Sequence, residues 1–301
     1  MLAREFFNRY ADLIPDYEGF LNSLKLKIPT CIRINTLLAE PEDITRKLQA
    51  QGVHLMPTVL GREFWEAPGL DSPGRHPLYC MGAIYPQALS SGIPALVLDP
   101  KPGELVLDLC ASPGSKTTQM AAMMWNQGRI VANEPAVHRH PALVANLRRL
   151  GVANTVVTGY PGQSFPMRLR FHRILVDAPC SGEGNARMGP GGELLGTGPR
   201  RGDLHRVQTQ LLLRAFDLLE EDGVLVYSTC SLDPMENEAV VDQLLRSREA
   251  KVLPIPLDIP HDPGVTSWSG RLMAEELAHA WRIYPHRLKT VGFFLAKISR
   301  R

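Results

Sequence analysis

The sequence has no run of about 18 apolar residues, the length a membrane-crossing helix needs. Its first twenty residues place Arg4, Glu5, Arg9 and Asp12 early and hold no unbroken apolar core. No secretory leader is read there, and a cytoplasmic location is expected. Neither sign of charge is in excess: 33 Lys and Arg stand against 31 Asp and Glu, a net charge of +2. This excludes a strongly basic nucleic-acid tail but leaves room for a local basic groove. No C-x-x-C pair occurs among Cys31, Cys80, Cys110, Cys180 and Cys230. A structural zinc site is therefore not expected, no metal is assigned, and in a reducing compartment all five are free thiols. Two nucleotide signatures are missing as well. The dinucleotide G-x-G-x-x-G is absent, and around Lys116 the G-x-x-x-x-G-K-[ST] loop lacks both glycines, Cys110 and Ser115 standing in their places.

What is present is an ordinary globular chain of 301 residues, 44% hydrophobic and 21% charged, long enough for one large domain or two small ones. Residues 1–75 read as a small α+β segment. It has a short helix over Leu2–Leu13 stopped near Pro15, an alternating strand at Cys31–Thr36, and a helix that starts at Glu40-Pro41 and ends at Gly52. The stretch Ala67–Pro77, with Pro68, Gly69, Pro73, Gly74 and Pro77, is the candidate linker. Residues 76–301 form the second domain. Buried-type strands at 105–109, 129–134, 155–158, 174–177 and 223–228 alternate with helices at 142–150, 204–219 and 236–247. That alternation predicts an α/β fold with a doubly wound, mostly parallel sheet. Gly189–Gly198, with five glycines, reads as a mobile loop.

Ligands of an open parallel sheet bind at the carboxyl ends of its strands. Three strand ends here carry chemistry. The first is Asp108-Leu-Cys-Ala-Ser-Pro-Gly-Ser-Lys-Thr117, where small residues admit a ligand to the backbone and a helix start supplies N–H donors. The second ends at Glu134, 26 positions after Asp108, where a carboxylate can take ribose hydroxyls. The third pairs Asp177-Ala-Pro-Cys-Ser-Gly182 with Thr229-Cys-Ser231, placing two cysteines at strand ends beside an acid and a lysine. A lone cysteine is more often a small buried hydrophobe. Two in one crevice point instead to thiolate chemistry.

These segments closely resemble the RNA cytosine-5 methyltransferases of the Nop/Sun family. The likeness extends to Arg33-Ile-Asn-Thr36, Tyr85-Pro-Gln87, Leu204-His-Arg-Val-Gln208, Tyr227–Glu238, Arg282-Ile-Tyr-Pro-His286 and Gly292-Phe-Phe294, and so covers nearly the whole chain. The resemblance implies a class I, Rossmann-like fold dependent on S-adenosyl-L-methionine. It places the cofactor over Asp108, Cys110, Ala111, Ser112, Pro113, Gly114, Ser115 and Lys116, with Glu134 on the ribose and Asp177 near the methionine end or the base. In this chemistry a thiolate adds to carbon 6 of cytosine, carbon 5 then attacks the sulfonium methyl, and the thiol is finally eliminated. By resemblance Cys230 attacks, Cys180 assists release, Asp177 positions the base and Lys116 sits beside it. By the pattern of DNA cytosine-5 methyltransferases the Pro-Cys cysteine, Cys180, would attack instead. Two departures stand out. Pro161 occupies the position of the family's adenine-side Asp, leaving backbone groups or Gln163 to replace it, and the Gly189–Gly198 loop replaces a more ordinary polar segment.

The expected partner is ribosomal RNA or, second, tRNA, with the target base unstacked. Expected substrate contacts are Arg33, Asn35, Arg187, Gln208, Arg282 and His286, with Arg200, Arg201 and Arg287 as further phosphate candidates, and the N-terminal segment is expected to form part of the RNA platform. Two other classes stay open. A silent RNA-binding or assembly factor that kept the fold is one. A methyltransferase acting on DNA or protein is the other, although amide methyltransferases carry Asn-Pro-Pro-Tyr where this chain has Asp-Ala-Pro-Cys. Oligomeric state is not legible.

Overall fold

A computed structural model describes residues 1–196 and 203–301. Two short helices, α1 (Ala3–Phe7) and α2 (Tyr17–Ser23), come first, and the Asp16 carboxylate caps α2 by accepting from the Gly19 N–H at 3.1 Å. A small antiparallel sheet follows, built from β1 (Cys31–Ile34), β2 (Met56–Pro57), β3 (Phe64–Glu66) and β4 (Ile84–Pro86) in the order β2-β3-β1-β4. Helix α3 (Pro41–Ala50), with Pro41 in its first turn, covers the sheet with Ile44 and Leu48.

The organisation of this region differs from the expectation. β4 lies beyond Ala67–Pro77 and pairs with β1, so that stretch, with α4 (Pro77–Cys80) at its end, is a connection within the small unit. A three-residue strand is too short to show a period of two, which hid it. Nor do α1 and α2 sit on the small sheet. Phe7, Tyr10, Ile14, Phe20 and Leu24 cluster with Ala186, Leu232 and Tyr284, all from the larger unit.

Helix α5 (Leu89–Leu98), buried on nearly every side, joins the small sheet to a nine-stranded one. The parallel strands are β5 (Leu105–Asp108), β6 (Arg129–Asn133), β7 (Thr155–Thr158), β8 (Phe171–Asp177) and, after the short hairpin β9 (Arg187–Met188)/β10 (Leu194–Leu195), β11 (Leu219–Thr229). Helices α6 (Ser115–Met123), α7 (His140–Arg149), α8 (Leu204–Asp217) and α9 (Glu238–Ser247) alternate with them. The C-terminal part adds β12 (Ala250–Leu253), β13 (Asp262–Pro263), a hairpin of β14 (Ser267–Trp268) and β15 (Arg271–Leu272), β16 (Trp281–Ile283), α10 (Pro285–Leu288) and β17 (Phe293–Arg300). The strand order is β13-β16-β17-β11-β8-β5-β6-β7, with β12 also on β17, which runs antiparallel to β11. From β5 the chain winds outward through β6 and β7, then returns to β8 on the other side. That reversal opens a crevice at the carboxyl ends of β5 and β8.

Gly189–Gly196, expected to be part of a mobile loop, hold the turn (189–193) and second strand of the β9–β10 hairpin. They are tied to the N-terminus: the Ala3 N–H donates to Gly192 O at 2.9 Å, and the Leu194 N–H to Met1 O at 3.1 Å. Gly198, Arg200 and Arg201 lie outside the described residues. Among the described residues no helix is long and apolar enough to cross a membrane.

Candidate active site

The loop after β5 is held from below. Asp108 is 1% exposed; one carboxylate oxygen accepts from Thr117 Oγ1 at 2.6 Å, and the other has no partner among the described residues. Burial pushes the Asp108 carboxyl up to about 6, outweighing the Thr117 hydrogen bond, which pulls it down. The native state therefore holds this proton more tightly than the unfolded chain, and the stability it lends fades as pH rises through 6. Between pH 5 and 8 the group should withdraw about 1.4 kcal/mol, one pKa unit's worth. Urea denaturation of wild type and Asp108→Asn at those two pH values checks this: the variant should gain on wild type at pH 8, and a pH-independent gap would refute the shift.

The ends of β8 and β11, adjacent and parallel, bring the two cysteines together. Cys180 Sγ and Cys230 Sγ lie 3.0 Å apart, and Asn185 Nδ2 is 3.4 Å from Cys230 Sγ. The Cys230 thiol is pulled below its ordinary value, first by the hydrogen bond from Cys180, with Lys116 and Asn185 helping. Cys180 is pushed well above, first by that same bond and then by burial. The pair thus favours a thiolate at Cys230 and a thiol at Cys180. Cys31 and Cys110 are also pushed up, chiefly by burial, to about 12 in the case of Cys31. Lys116 Nζ donates to Asp177 Oδ2 at 2.7 Å and to Ser91 Oγ at 3.0 Å, and Ser228 Oγ donates to Asp177 Oδ1 at 2.8 Å. Asp177 is thus fixed beside the cysteines with a cation against it.

One residue joins both cysteine loops. Buried Glu236 accepts from the Ser181 N–H and from Gln208 Nε2, each at 2.9 Å, and from Ser231 Oγ at 3.0 Å. Gly184 packs under Cys230, its N–H donating to Cys230 O at 2.8 Å; a Cβ there would come within 2.0 Å of Gly292 O. Glu183, Asp233 and Glu236 have carboxylate oxygens within 4.8 Å of one another. Glu183 already accepts from Arg9 at 2.5 Å and Tyr10 Oη at 2.7 Å, so protein donors fill this cluster and no metal is assigned.

Beside the cysteines is a cavity of about 490 Å³, within the usual range for a small-molecule site. Cys110, Ser112, Glu134, Gln163, Asp177 and Cys180 are among its walls. Glu134 is only 2% exposed; its carboxylate accepts from the Ala136 N–H at 2.9 Å and pairs with Arg139 at 2.9 Å, while Arg139 also donates to Ser112 O at 2.8 Å. Pro161 is exposed and outside the lining, whereas Gly162 and Gln163 form the wall in its place. Lys116 and Ser115 start α6, and Ala111, Pro113 and Gly114 shape the loop before it; none of these five, nor Asp108, lines the cavity. A buried carboxylate for a diol, a backbone-rich loop and a nucleophile at the cavity edge fit a ligand combining a nucleoside with an amino acid.

Residues 95–299 match the family described as 16S rRNA methyltransferase RsmB/F. The chain belongs to this family. A tRNA (cytosine(49)-C(5))-methyltransferase of Pyrococcus abyssi is 38% identical over 99% of this chain and 96% of its own length. A 28S rRNA (cytosine(4447)-C(5))-methyltransferase of Homo sapiens is 38% identical over 96% of this chain but only 37% of its own length. A solved methyltransferase homologue of Pyrococcus horikoshii shares the fold with a TM-score of 0.85 at 32% identity, covering 99% of this chain and 95% of that one.

In this RsmB/F-family chain most of the expected RNA contacts are buried and bonded within the protein. Arg33 is 1% exposed, donates to Thr118 Oγ1 at 2.8 Å and holds α6 from beneath. Asn35 donates to Gly82 O at 3.0 Å and Leu150 O at 2.9 Å. Gln208 donates to Pro179 O and Glu236, both at 2.9 Å. Arg282 forms a buried pair with Glu238. The ring nitrogens of His286 are buried, and the ring stacks on Tyr284 at 5.7 Å. Motif membership marked these residues as constrained; the constraint is packing. Arg187 and His286 are partly exposed without a carboxylate partner among the described residues, and of the two only Arg187 is cationic at neutral pH. Glu236, Ser91, Asn185 and Arg139 carry no sequence signal that marks them singly as site residues. Glu236 was legible only as a member of the Tyr227–Glu238 motif.

Proposed function

We propose that the protein transfers a methyl group from S-adenosyl-L-methionine to carbon 5 of a cytosine in RNA, with Cys230 as the nucleophile. The observation that carries this is the 3.0 Å pair of thiols at the rim of the cavity, beside the Asp177–Lys116 pair. The cofactor, when bound, supplies a methyl group on a sulfonium centre. Glu134 would hold the ribose, Cys110 and Ser112 the amino-acid part, and Gly162 with Gln163 the adenine side. Asp177, held by Lys116 and Ser228, is positioned to accept from the exocyclic amino group of the base. Cys230 then adds to carbon 6, which makes carbon 5 nucleophilic enough to take the methyl group, and loss of the carbon 5 proton to a base re-forms the ring double bond as the Cys230 thiolate leaves. Cys180 assists when the carbon–sulfur bond is broken again.

Ribosomal RNA is the first substrate reading, in line with the family's description. The near end-to-end match to the archaeal tRNA enzyme favours tRNA as the second. Radiolabelled S-adenosyl-L-methionine given to the protein with total ribosomal RNA and total tRNA tests both. The ribosomal pool should be labelled, and Glu134→Gln should raise the KM for the cofactor about tenfold, the effect of one lost charge-assisted hydrogen bond. Wild type that binds RNA yet labels neither pool would overturn the reading in favour of a silent assembly factor.

A further inference from the structure

We propose that a second pocket, enclosed by α2, the Leu26–Pro29 segment, β9 and α10, binds the backbone phosphate of an RNA nucleotide adjacent to the target cytosine. The proposal rests on the RNA reading above. The pocket measures about 310 Å³ and is lined by Leu26, Lys27, Pro29, Arg187 and Lys289 among others. Three of its lining residues are cations and none is a carboxylate. Lys27 pairs with Asp71 at 2.7 Å, but both side chains are more than 70% exposed, so water and salt weaken that pair. Arg187 is half-buried, and its hydrogen-bond partner among the described residues is the Ala186 carbonyl. A cation taken partly out of water without a counter-charge is costly, and an anion from outside would relieve it. Lys289 is exposed and takes a left-handed backbone, φ 48°, where glycine would be less strained. The apolar wall of Leu26, Ile28 and Pro29 suits the face of a ribose or base.

The location ties the pocket to the reaction. Arg187 is two residues from Asn185, whose amide touches Cys230 Sγ, so the Cα atoms of Arg187 and Asn185 lie within about 8 Å. From the other side, Thr290 lines the pocket three residues before Phe293, whose ring centroid is 5.5 Å from Lys116 Nζ. Two separate segments therefore lead from this pocket into the active site, as a strand carrying the target base must.

Methyl transfer and filter binding with Arg187→Gln, Lys289→Gln, the double variant and Arg129→Gln, an exposed cation at the amino end of β6 away from the crevice, test the assignment. The KM for RNA should rise about fivefold in each single variant, with kcat at saturating RNA and cofactor affinity changing far less. The slope of log affinity against log salt should fall by about 0.7 for each cation removed from the phosphate, and Arg129→Gln should behave as wild type. Pocket variants with an unaltered KM and salt slope would overturn the proposal. If Arg187→Gln also disturbs cofactor binding, the exposed Lys289 decides. Wild type that methylates no RNA would sink the reading of function instead, while the salt slope of RNA binding would still decide the pocket.

Discussion

Cys230→Ala is expected to lower methyl transfer by about 10⁴-fold or more while leaving cofactor affinity in place. The side chain that would form the covalent bond to carbon 6 is then gone, and Cys180 does not replace it, because burial still holds its proton. Cys180→Ala has a different expected outcome. The nucleophile survives, so attack proceeds, but the thiol beside the leaving sulfur is missing and release slows. RNA should accumulate as a covalent adduct that survives denaturing electrophoresis. The two variants separate the alternatives that the sequence left open. If Cys180→Ala abolishes labelling without an adduct and Cys230→Ala accumulates one, the Pro-Cys cysteine attacks, as in the DNA enzymes.

Arg282→Met is expected to destabilise the fold by about 3–5 kcal/mol, the usual cost of removing one partner from a buried ion pair. Arg282 Nε donates to Glu238 Oε1 at 2.6 Å and Nη2 to Oε2 at 2.5 Å, with side chains 2% and 0% exposed. Arg282 Nη1 also reaches Leu232 O at 3.0 Å, and Glu238 Oε1 accepts from the Val265 N–H at 3.0 Å. The pair joins β16 to the start of α9 and so braces the segment that follows Cys230. Either single change strands a charge in the core. The double variant Arg282→Met with Glu238→Leu removes both charges and should recover most of the loss. Urea midpoints of the three variants check this, and a single variant within about 1 kcal/mol of wild type would refute a buried-pair role. Arg282 as an RNA contact predicts the reverse: intact stability and weakened RNA binding.

The parallel half of the large sheet was legible because its strands are continuous apolar runs bounded by turn residues, as Leu105–Asp108 and Phe171–Asp177 illustrate. The antiparallel C-terminal flank was not. β13 and β16 are two and three residues long, and Pro254, Pro256, Pro260 and Pro263 break any period before β16. The site residues at strand ends were legible for a topological reason: a parallel sheet with helical crossovers must place those ends in one crevice. The burial of Arg33, Asn35, Gln208 and Arg282 was not legible, because polar residues inside motifs look alike whether they face RNA or bridge two core elements.

By itself, then, the sequence determined the winding of the sheet, the loop at Cys110–Ser115 and the meeting of Cys180 with Cys230. Each follows from local pattern plus a rule of chain topology. Only the tertiary structure decided which polar side chains are buried, that Glu236 fastens both cysteine loops, and that the N-terminal helices pack on the larger unit. It also decided which thiol is favoured as thiolate. That asymmetry arises from the electrostatics of groups 50 and more residues apart, Cys180 and Lys116 around Cys230, whose distances no spacing in the chain encodes.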